Sequence, residues 1–568
     1  MKKRGLIFIV VIIVLTCMSA ACSERSAPTE FSVAFFTDGG KNIPSIFTDE
    51  IISQPVPTKE GYVFEGWYET KDFSSKRVVF PYKPVKDITL YAKYIDINKG
   101  NEELVFALSE TGESYVLTSY TGDAAAVVVP AMHDGLPVKE VSDGFLKDYY
   151  ALKEFYFSSE LSTLGETFYY CPNLEGFFRI DEGEGVYDAK EGVLYTDGGK
   201  TLLKYPVSLK KNSAYVTAFS VPEGTENLAD NAFRNALRLK SVTLPSSLVS
   251  IGNNFSALSS LESISASGEV FSSQNGVLFT SERETLLIYP AGKTDDSYAL
   301  PDETTTVADG AFESAQTENL VLGDSTENFT PPVKAEKLLS FEVKNNPFFS
   351  VKEGILYDKD GKVLIKYPSA KEGERFSVPE GTEKIDSYAF YGASRLKELT
   401  LPSTVKEVAS YAFCGGETGT VEKITFASES SLETLDGSAF TACKNLKTVV
   451  LSSRTPPETD VSLLAEGDFY IYVPVNAEPF YRSQWGKIAS RIHTSDVVLT
   501  PYEISFVSNG GTEIDAYYTV FIPSEPVTIR EGYVFGGWFA EADFSGEKLS
   551  FPKAFYQNSV LYAYWIKK

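Results

Sequence analysis

The chain has 568 residues, of which 43% are hydrophobic, and its 52 lysines and arginines stand against 77 aspartates and glutamates. This length predicts several domains, and the apolar content supplies enough material for a core, which excludes a disordered chain. The net charge of −25 repels phosphate backbones, so we expect no nucleic-acid partner. We interpret the charge as a means of solubility, or as a surface for a cationic partner.

The first predicted element is an export signal over residues 1–21. Positive residues 2–4 precede an unbroken apolar run at residues 6–15, and small residues lie directly before Cys22. The run is too short to cross a bilayer, so the pattern predicts a secretory signal that is removed. Cys22 stands where a bacterial lipoprotein carries its lipidated cysteine, and this resemblance implies lipidation; simple cleavage is the alternative. Residues 22–31 are predicted to form a flexible tether.

Two segments near the ends of the chain repeat each other. Residues 33–94 align with residues 504–565 at a constant offset of 471, without a gap. Alternating apolar residues between Gly-Gly and Pro predict short strands and tight turns. We therefore expect two small β domains, at residues 32–97 and 502–568.

These two segments resemble the internalin-type B-repeat, also called the Listeria–Bacteroides repeat. The shared motif is a Gly-Gly turn, a Gly-Tyr-x-Phe-x-Gly-Trp stretch and a terminal Leu-Tyr-Ala strand. The first copy departs mildly, with Tyr94 where the second has Trp565. The resemblance implies a β-grasp-like surface module that serves as a spacer or a binding unit, and it does not imply catalysis.

Between these segments one pattern recurs throughout residues 127–452. An apolar strand ends in proline and is followed by an Ile or Val turn and an Ala-Phe pair, with Phe390 and Phe413 lying 23 residues apart. A period in the twenties is typical of a solenoid, whose units cannot bury their apolar faces alone and must stack. We expect the solenoid to occupy residues 100–495.

The structure of one repeat unit is predicted from its own residues. Apolar and polar residues alternate over residues 396–401, which predicts a short strand with one apolar face. Pro402 cannot donate a further ladder hydrogen bond and ends the strand. Val408 and Phe413 then return to cover the strand. Stacked units should form a parallel ladder around a continuous apolar core.

This middle region resembles the BspA-like leucine-rich repeats, which are common on surface proteins of host-associated bacteria. The Leu-x-x-Leu-x-Leu-Pro unit, the recurring phenylalanine and a closing segment with Tyr481 and Trp485 carry the resemblance over residues 125–495. It implies a leucine-rich-repeat solenoid at the cell surface and a role in protein binding or adhesion.

A second pattern is inserted three times into the array, at residues 192–206, 276–290 and 354–368. Each copy is 15 residues long and places turn residues between two apolar runs. This arrangement predicts β-hairpins. We expect them to project from, or to thicken, one edge of the solenoid.

The sequence contains few residues that suggest chemistry. His133 and His493 have no accompanying nucleophile motif, and we interpret both as surface or loop residues. Cys171 and Cys443 follow the repeat's phenylalanine at a position where other copies have alanine, which favours core packing. Residues 358–361 lack the remaining ligands of a calcium loop and are interpreted as a hairpin turn. We expect no catalytic residue, no metal site and no cofactor.

Four tyrosines near the first repeats are the one candidate for an adhesive patch that the sequence offers. Tyrosine supplies contact area at low entropic cost. The alternative is that these residues belong to the core of the repeats. They are Tyr149, Tyr150, Tyr169 and Tyr170.

The expected fold class is mainly β: a leucine-rich-repeat solenoid with a parallel ladder and inserted β-hairpins, flanked by two small β-grasp-like domains. The resemblances imply an extracytoplasmic protein of the cell surface or outer membrane, held to the membrane only by a lipid anchor. It would bind an extracellular protein or glycan, or adhere to host or neighbouring cells. Two alternatives remain: a structural spacer that presents the terminal B-repeat, and a polysaccharide-processing lipoprotein.

Overall fold

The computed structural model describes the chain as two compact units. The described residues are 30–146, 149–168, 171–256 and 258–568. The first unit comprises the described residues up to 168 together with residues 180–182, and the second comprises residues 171–179 and 183–568. The predicted signal, most of the predicted tether and Cys22 lie outside the described residues.

The first unit begins with a mixed four-stranded sheet, which we call the N-terminal module. Its central strands, Phe31–Phe36 and Ile88–Asp96, are parallel, and the outer strands, Ile46–Thr48 and Tyr62–Tyr68, pair antiparallel to them. Trp67 is fully buried, and its indole donates a hydrogen bond to the carbonyl of Pro55 at 2.7 Å. A buried indole needs such an acceptor, so this bond fixes the ring in a small core.

The first coils of the solenoid complete this unit. Their strands are Leu104–Leu108, Tyr115–Tyr120, Ala126–Val128, Met132–His133, Leu136–Val141, Glu154–Phe157 and Thr163–Leu164. Tyr115–Tyr120 pairs parallel with Leu136–Val141, and Ala126–Val128 pairs parallel with Glu154–Phe157. Each coil therefore contributes one strand to each of two ladders.

The second unit contains three solenoid segments, each with one of the inserted hairpins near its start. The first segment has strands Gly176–Arg179, Tyr187–Lys190, Val193–Thr196, Thr201–Lys204, Lys210–Lys211, Ala214–Tyr215, Ala218–Ser220, Asn227–Leu228, Ser241–Thr243 and Ser263–Ser265, with a 3-10 turn at Asp197–Gly199. The second has Phe271–Gln274, Val277–Thr280, Thr285–Ile288, Ser297–Ala299, Thr306–Val307, Asn319–Leu322, Asn328–Phe329 and Ser340–Val343.

The third segment is the longest and contains the α-helices of the described chain. Its strands are Phe349–Lys352, Ile355–Asp358, Val363–Lys366, Arg375–Ser377, Lys384–Ile385, Glu398–Leu401, Glu407–Val408, Lys423–Phe426, Thr434–Leu435, Thr448–Val450, Tyr470–Pro474 and Ile492–Ser495. Its helices are Val461–Leu464, Glu478–Gln484 and the 3-10 helix Gly486–Arg491. None of these short helices has the length and apolar character that a membrane crossing requires.

The predicted parallel ladder is confirmed in this segment. Leu399 pairs in register with Ile424, and Ile424 pairs with Val449, all three at 1% exposure or less. The alternation that predicted a strand therefore places one apolar side chain per coil into the core. Together with the two modules, this confirms a mainly β leucine-rich-repeat solenoid.

The inserted hairpins are also confirmed, but they do not project from the solenoid. In the second copy, Val277–Thr280 pairs antiparallel with Thr285–Ile288, and the latter pairs parallel with the next coil strand, Thr306–Val307. The hairpin thus supplies the first strand of a new ladder. It is part of the stack because its second strand runs parallel to the coil strand that follows it.

The hairpins divide the core, which we had expected to be continuous. Leu278 belongs to the buried cluster of the preceding segment, whereas Val277 and Phe279 belong to the cluster of the following segment. All three side chains are fully buried. The middle strand therefore has both faces covered, which explains why its apolar run is unbroken rather than alternating.

The second unit ends in the C-terminal module, which has the same sheet order as the N-terminal module. Its strands are Tyr502–Val507, Tyr517–Thr519, Phe521–Ile522, Tyr533–Phe539, Lys553–Ala554 and Ser559–Lys567. The indole of Trp538 donates to the carbonyl of Pro526 at 2.8 Å, which repeats the contact of Trp67. The sequence duplication is therefore a structural duplication as well.

Candidate functional site

A left-handed backbone lies directly before the Ala-Phe pair in four coils of the solenoid. In two coils this position is Asn231 (φ +58°) or Gly310 (φ +72°), residue types that tolerate a left-handed backbone. In two later coils it is Tyr388 (φ +55°) and Tyr411 (φ +57°). A bulky side chain in this conformation costs about 1–2 kcal/mol. Two coils therefore have tyrosine at a left-handed position where other coils of the same chain have asparagine or glycine.

These tyrosines form one continuous aromatic surface. The rings of Tyr388 and Tyr411 stack at 5.1 Å between centroids and 10° between planes, because adjacent coils place them in the same orientation. Tyr391 meets Tyr388 edge to face at 6.0 Å. All three side chains are partly exposed. We call Tyr388, Tyr391 and Tyr411 the tyrosine surface.

A cavity of about 200 Å³ lies beside this surface, with Tyr391 as its aromatic wall. Ser369, Thr418 and Glu417 contribute polar groups to its lining, together with residues 333–336. Gly416 leaves room for the phenol, because a Cβ at this glycine would lie 2.6 Å from the Tyr391 hydroxyl. The arrangement offers a flat aromatic face next to hydrogen-bonding groups.

A buried lysine supports the left-handed turn from below. Lys366 is 1% exposed, and its Nζ donates to the carbonyl of Tyr388 at 2.9 Å. Burial lowers the pKa of Lys366 to about 7, although Glu313 and Cys414 act in the opposite direction. The ammonium also lies 5.8 Å from the centre of the Tyr391 ring. Lys366 therefore holds both the turn and the tyrosine that lines the cavity.

A second buried lysine gives the same support within the described part of the array. Lys204 stands at the same hairpin position as Lys366, and its Nζ donates to the carbonyl of Asn231 at 3.3 Å. Burial lowers the pKa of Lys204 to about 8. The second hairpin has Ile288 at this position, and the turn above it carries Gly310, which adopts a left-handed backbone without help. Lys204 and Lys366 thus support turns whose left-handed residue is not glycine.

Carboxylates outnumber cations in the lining of the cavity beside the tyrosine surface, with Glu336 and Glu417 against Lys334. Burial raises the pKa of Tyr391, and Cys414 and the carboxylates of Glu313 and Glu417 raise it further. A phenol whose proton is held in this way remains neutral and presents an electron-rich ring. Such a ring beside carboxylates favours a cation over an anion.

The structure also places the residues that the sequence analysis singled out. His133 lies on the strand Met132–His133 and stacks on Phe106 at 3.8 Å, and His493 is exposed on a strand of the closing segment. Both are surface residues as interpreted. Residues 358–361 form a turn in which the amide of Gly361 donates to the carbonyl of Asp358. Among the described residues, no group of three or more His, Cys, Asp or Glu side chains is placed to hold a metal ion.

The core interpretation of the cysteines is confirmed for Cys171, which is 1% exposed. Cys443 is partly buried, and its thiol donates to the carbonyl of Phe413 at 2.8 Å. Burial raises the pKa of the Cys443 thiol to about 12, so it remains protonated. Cys443 therefore lacks the environment of a reactive thiolate.

The tyrosines singled out from the sequence are not brought together as one described patch. The hydroxyl of Tyr149 donates to the carbonyls of Gly122 and Ala124, which ties it to the first coils. Tyr150 is 64% exposed, while Tyr169 and Tyr170 lie outside the described residues. The sequence analysis did not identify the tyrosine surface. An alignment of the position before each Ala-Phe pair shows the two tyrosines in adjacent coils, where other coils have Asn231, Gly310 and Ser438.

Comparison with known proteins identifies both kinds of repeat. A model of the BspA type leucine rich repeat region matches residues 211–333 and 369–457 in 6 copies. A model of the Listeria-Bacteroides repeat domain matches residues 31–93 and 502–564. These ranges include the tyrosine surface and both modules.

Individual relatives match over shorter stretches or at low identity. Internalin H of Listeria monocytogenes is 37% identical over 71 residues, which cover 11% of this chain and only 12% of Internalin H. A leucine-rich repeat protein from Eubacterium ventriosum is similar at 21% identity and a TM-score of 0.36, covering 56% of this chain and 84% of that one. A leucine rich cell surface protein from Faecalibacterium prausnitzii is similar at 20% identity and a TM-score of 0.27, covering 70% and 98%. By the family models, BspA-type leucine-rich repeats at residues 211–333 and 369–457 lie between two Listeria–Bacteroides repeat domains at residues 31–93 and 502–564.

Proposed function

We propose that this chain is an exported surface protein that binds an extracellular protein through the tyrosine surface of its solenoid. The observation that carries the proposal is the left-handed backbone of Tyr388 and Tyr411, where the same repeats elsewhere have Asn231 and Gly310. Backbone strain of this kind persists where function requires the side chain. Tyrosine is among the residues that dominate binding energy at protein interfaces.

The charge around the surface supports a basic partner segment. Glu313 and Glu417 act on the phenol of Tyr391, and Glu417 lines the adjacent cavity. A lysine or arginine side chain of the partner would gain both a cation–π contact with a ring and an ion pair with a carboxylate. The net charge of −25 would steer such a partner toward the chain. A binding role of this kind, without catalysis, agrees with the repeat families that the chain carries.

Replacing Tyr388 and Tyr411 together with asparagine tests this proposal. Asparagine tolerates the left-handed backbone, so the free energy of unfolding should stay unchanged or rise by about 1 kcal/mol. Loss of two aromatic contacts should weaken partner binding by at least about tenfold. Partners are first captured from extracellular proteins with residues 23–568 of the wild type and are then titrated against each variant.

The matched control is Tyr470→Asn, which removes a tyrosine that is 54% exposed on the strand Tyr470–Pro474. It should leave partner affinity at the wild-type level. If the Tyr388 and Tyr411 variant also bound as tightly as the wild type, the tyrosine surface would not be the binding site.

We also propose that the chain reaches the surface through the signal over residues 1–21 and is held there by lipid on Cys22, followed by the tether to residue 31. The domain order would then be the N-terminal module at 32–97, the solenoid at 100–495 and the C-terminal module at 502–568. The support is the position of Cys22 directly after a small-residue cleavage site. Both repeat families are typical of surface proteins.

Replacing Cys22 with serine should release the protein from the membrane, because the thiol that carries the lipid is missing. Stable anchoring requires more than one acyl chain, at about 0.8 kcal/mol per buried methylene group. The measurement is the distribution of the protein between membrane pellet and soluble fraction. Persistence in the pellet would contradict lipid anchoring at Cys22, and Ser23→Ala serves as the control that should stay in the pellet.

A further inference from the structure

Lys366 is a buried amine beneath the tyrosine surface. Its side chain is 1% exposed, and its Nζ donates to one neutral acceptor, the carbonyl of Tyr388, at 2.9 Å. Among the ion pairs of the described residues, none includes Lys366. A buried ammonium without an opposite charge is strongly disfavoured, so this position favours the neutral amine.

The titratable groups that face Lys366 come from neighbouring coils on both sides. Glu313 is the carboxylic acid among them, and Cys414 contributes a thiol. Burial and neighbouring groups raise the pKa values of the Tyr388 and Tyr391 phenols, which therefore stay neutral. The burial of Lys366 outweighs the effects of Glu313 and Cys414 and lowers the pKa of the amine to about 7. Lys366 therefore gains or loses its proton close to neutral pH.

The hairpin does not need a lysine at this position for its fold. In the second hairpin Ile288 pairs with Leu278, as Lys366 pairs with Leu356 in the third. An apolar side chain would avoid the cost of burying an amine. Instead the chain places a group that titrates close to neutral pH directly beneath the left-handed turn of Tyr388. A change in the charge of Lys366 therefore acts on this turn first.

We propose that Lys366 makes the tyrosine surface acid-sensitive, so that the surface holds its partner while the amine is neutral and releases it when the amine is protonated. This step rests on the proposed function. The neutral amine still carries N–H groups and keeps its hydrogen bond to the Tyr388 carbonyl. The ammonium must reach water or the carboxylate of Glu313, and the turn that carries Tyr388 and Tyr391 has to open for this. The partner then loses the aligned rings that it binds.

Proton binding fixes the direction of the effect. In the open turn Lys366 regains the ordinary pKa of a lysine, whereas in the closed turn its pKa is about 7. Between these two values the open turn binds more protons, so the closed turn becomes more stable as the pH rises above about 7. At lower pH both forms are protonated and this gain is lost. Acidification through neutral pH therefore favours the open turn.

Titration of the captured partner at about pH 8 and about pH 6 tests the proposal, with residues 23–568 of the wild type. The dissociation constant should be about tenfold higher at the lower pH, because tight binding requires that Lys366 lose one proton. Lys366→Met removes the titrating amine and keeps an unbranched side chain, so its dissociation constant should be the same at both pH values. Lys366→Ile, which copies the second hairpin, should behave in the same way.

The matched control is Lys204→Met, because Lys204 supports the turn of Asn231, which lies outside the tyrosine surface. Its two dissociation constants should differ by the same factor as those of the wild type. Near-ultraviolet circular dichroism of the free protein gives a readout without the partner. In the Lys204→Met background this signal should change between the two pH values, and adding Lys366→Met should abolish the change.

The response of the Lys366→Met variant decides the proposal. If its affinity depended on pH as that of the wild type does, the proposal would be overturned. A wild type that binds equally well at both pH values would overturn it too. If Tyr388 and Tyr411 proved unnecessary for binding while the Lys366-dependent dichroism change occurred, the proposed function would fail and the acid-sensitive turn would stand.

Discussion

Replacing Phe390 with alanine is expected to lower the free energy of unfolding by about 3–5 kcal/mol, as truncation of a core aromatic does. Phe390 is 1% exposed, stacks on Tyr367 at 5.2 Å and contacts Phe413 of the next coil at 5.7 Å. The truncation therefore opens a cavity between two coils that depend on each other for burial. Urea unfolding followed by fluorescence and circular dichroism measures the change.

The control for Phe390→Ala is Val249→Ala, at a solenoid residue that is 55% exposed. Its effect should stay within about 0.5 kcal/mol, as is usual for surface positions. An unfolding curve for Phe390→Ala that overlays the wild type would show that the stacked phenylalanines do not stabilise the coils.

Replacing Phe521 with glutamate is expected to detach the C-terminal module without unfolding it. Phe521 packs into the buried cluster of the closing segment rather than into the module's own core, and the N-terminal module folds with Glu50 at the aligned position. The loss of the aromatic contact with Phe480 and the burial of a carboxylate should together destabilise the docked module, relative to the detached one, by about 3–5 kcal/mol. Limited proteolysis should then cut within residues 496–501 and release an intact fragment of residues 502–568.

Val527→Glu provides the comparison for this experiment, because it adds the same charge to an exposed site of the module. Its cleavage pattern should match the wild type. If Phe521→Glu resisted protease as well as the wild type does, the contact with Phe480 would not be what holds the module.

Much of the fold could be predicted because its signals are local. The alternation over residues 396–401 sets which side chains enter the core, and the parallel pairing of Leu399 with Ile424 follows once units of equal length stack. The hairpins were predictable from their turn residues. Their incorporation into the ladder was not, because it depends on the pairing of Thr285–Ile288 with a strand that comes later in the chain.

The candidate site could not be predicted from residue types. Tyr388 and Tyr411 look like ordinary repeat aromatics until their backbone angles and their stacking are known. In the sequence, Lys366 looks like an exposed polar residue of a hairpin strand. In the structure it is buried beneath the turn that it supports. Each of these properties arises from neighbours on another coil, which a single repeat unit does not contain.

The amino-acid sequence by itself determined the repeating unit, the duplication of the modules and the strands within both, since each follows from a periodicity of a few residues. Only the tertiary structure decided which side of each module is covered, where the core is divided and where tyrosines gather. Val63 and Val534 occupy the same position of the same motif, yet one is buried and the other half exposed. The physical reason is that a side chain is buried only when another part of the fold covers it. Here the covering residues come from a distant part of the chain.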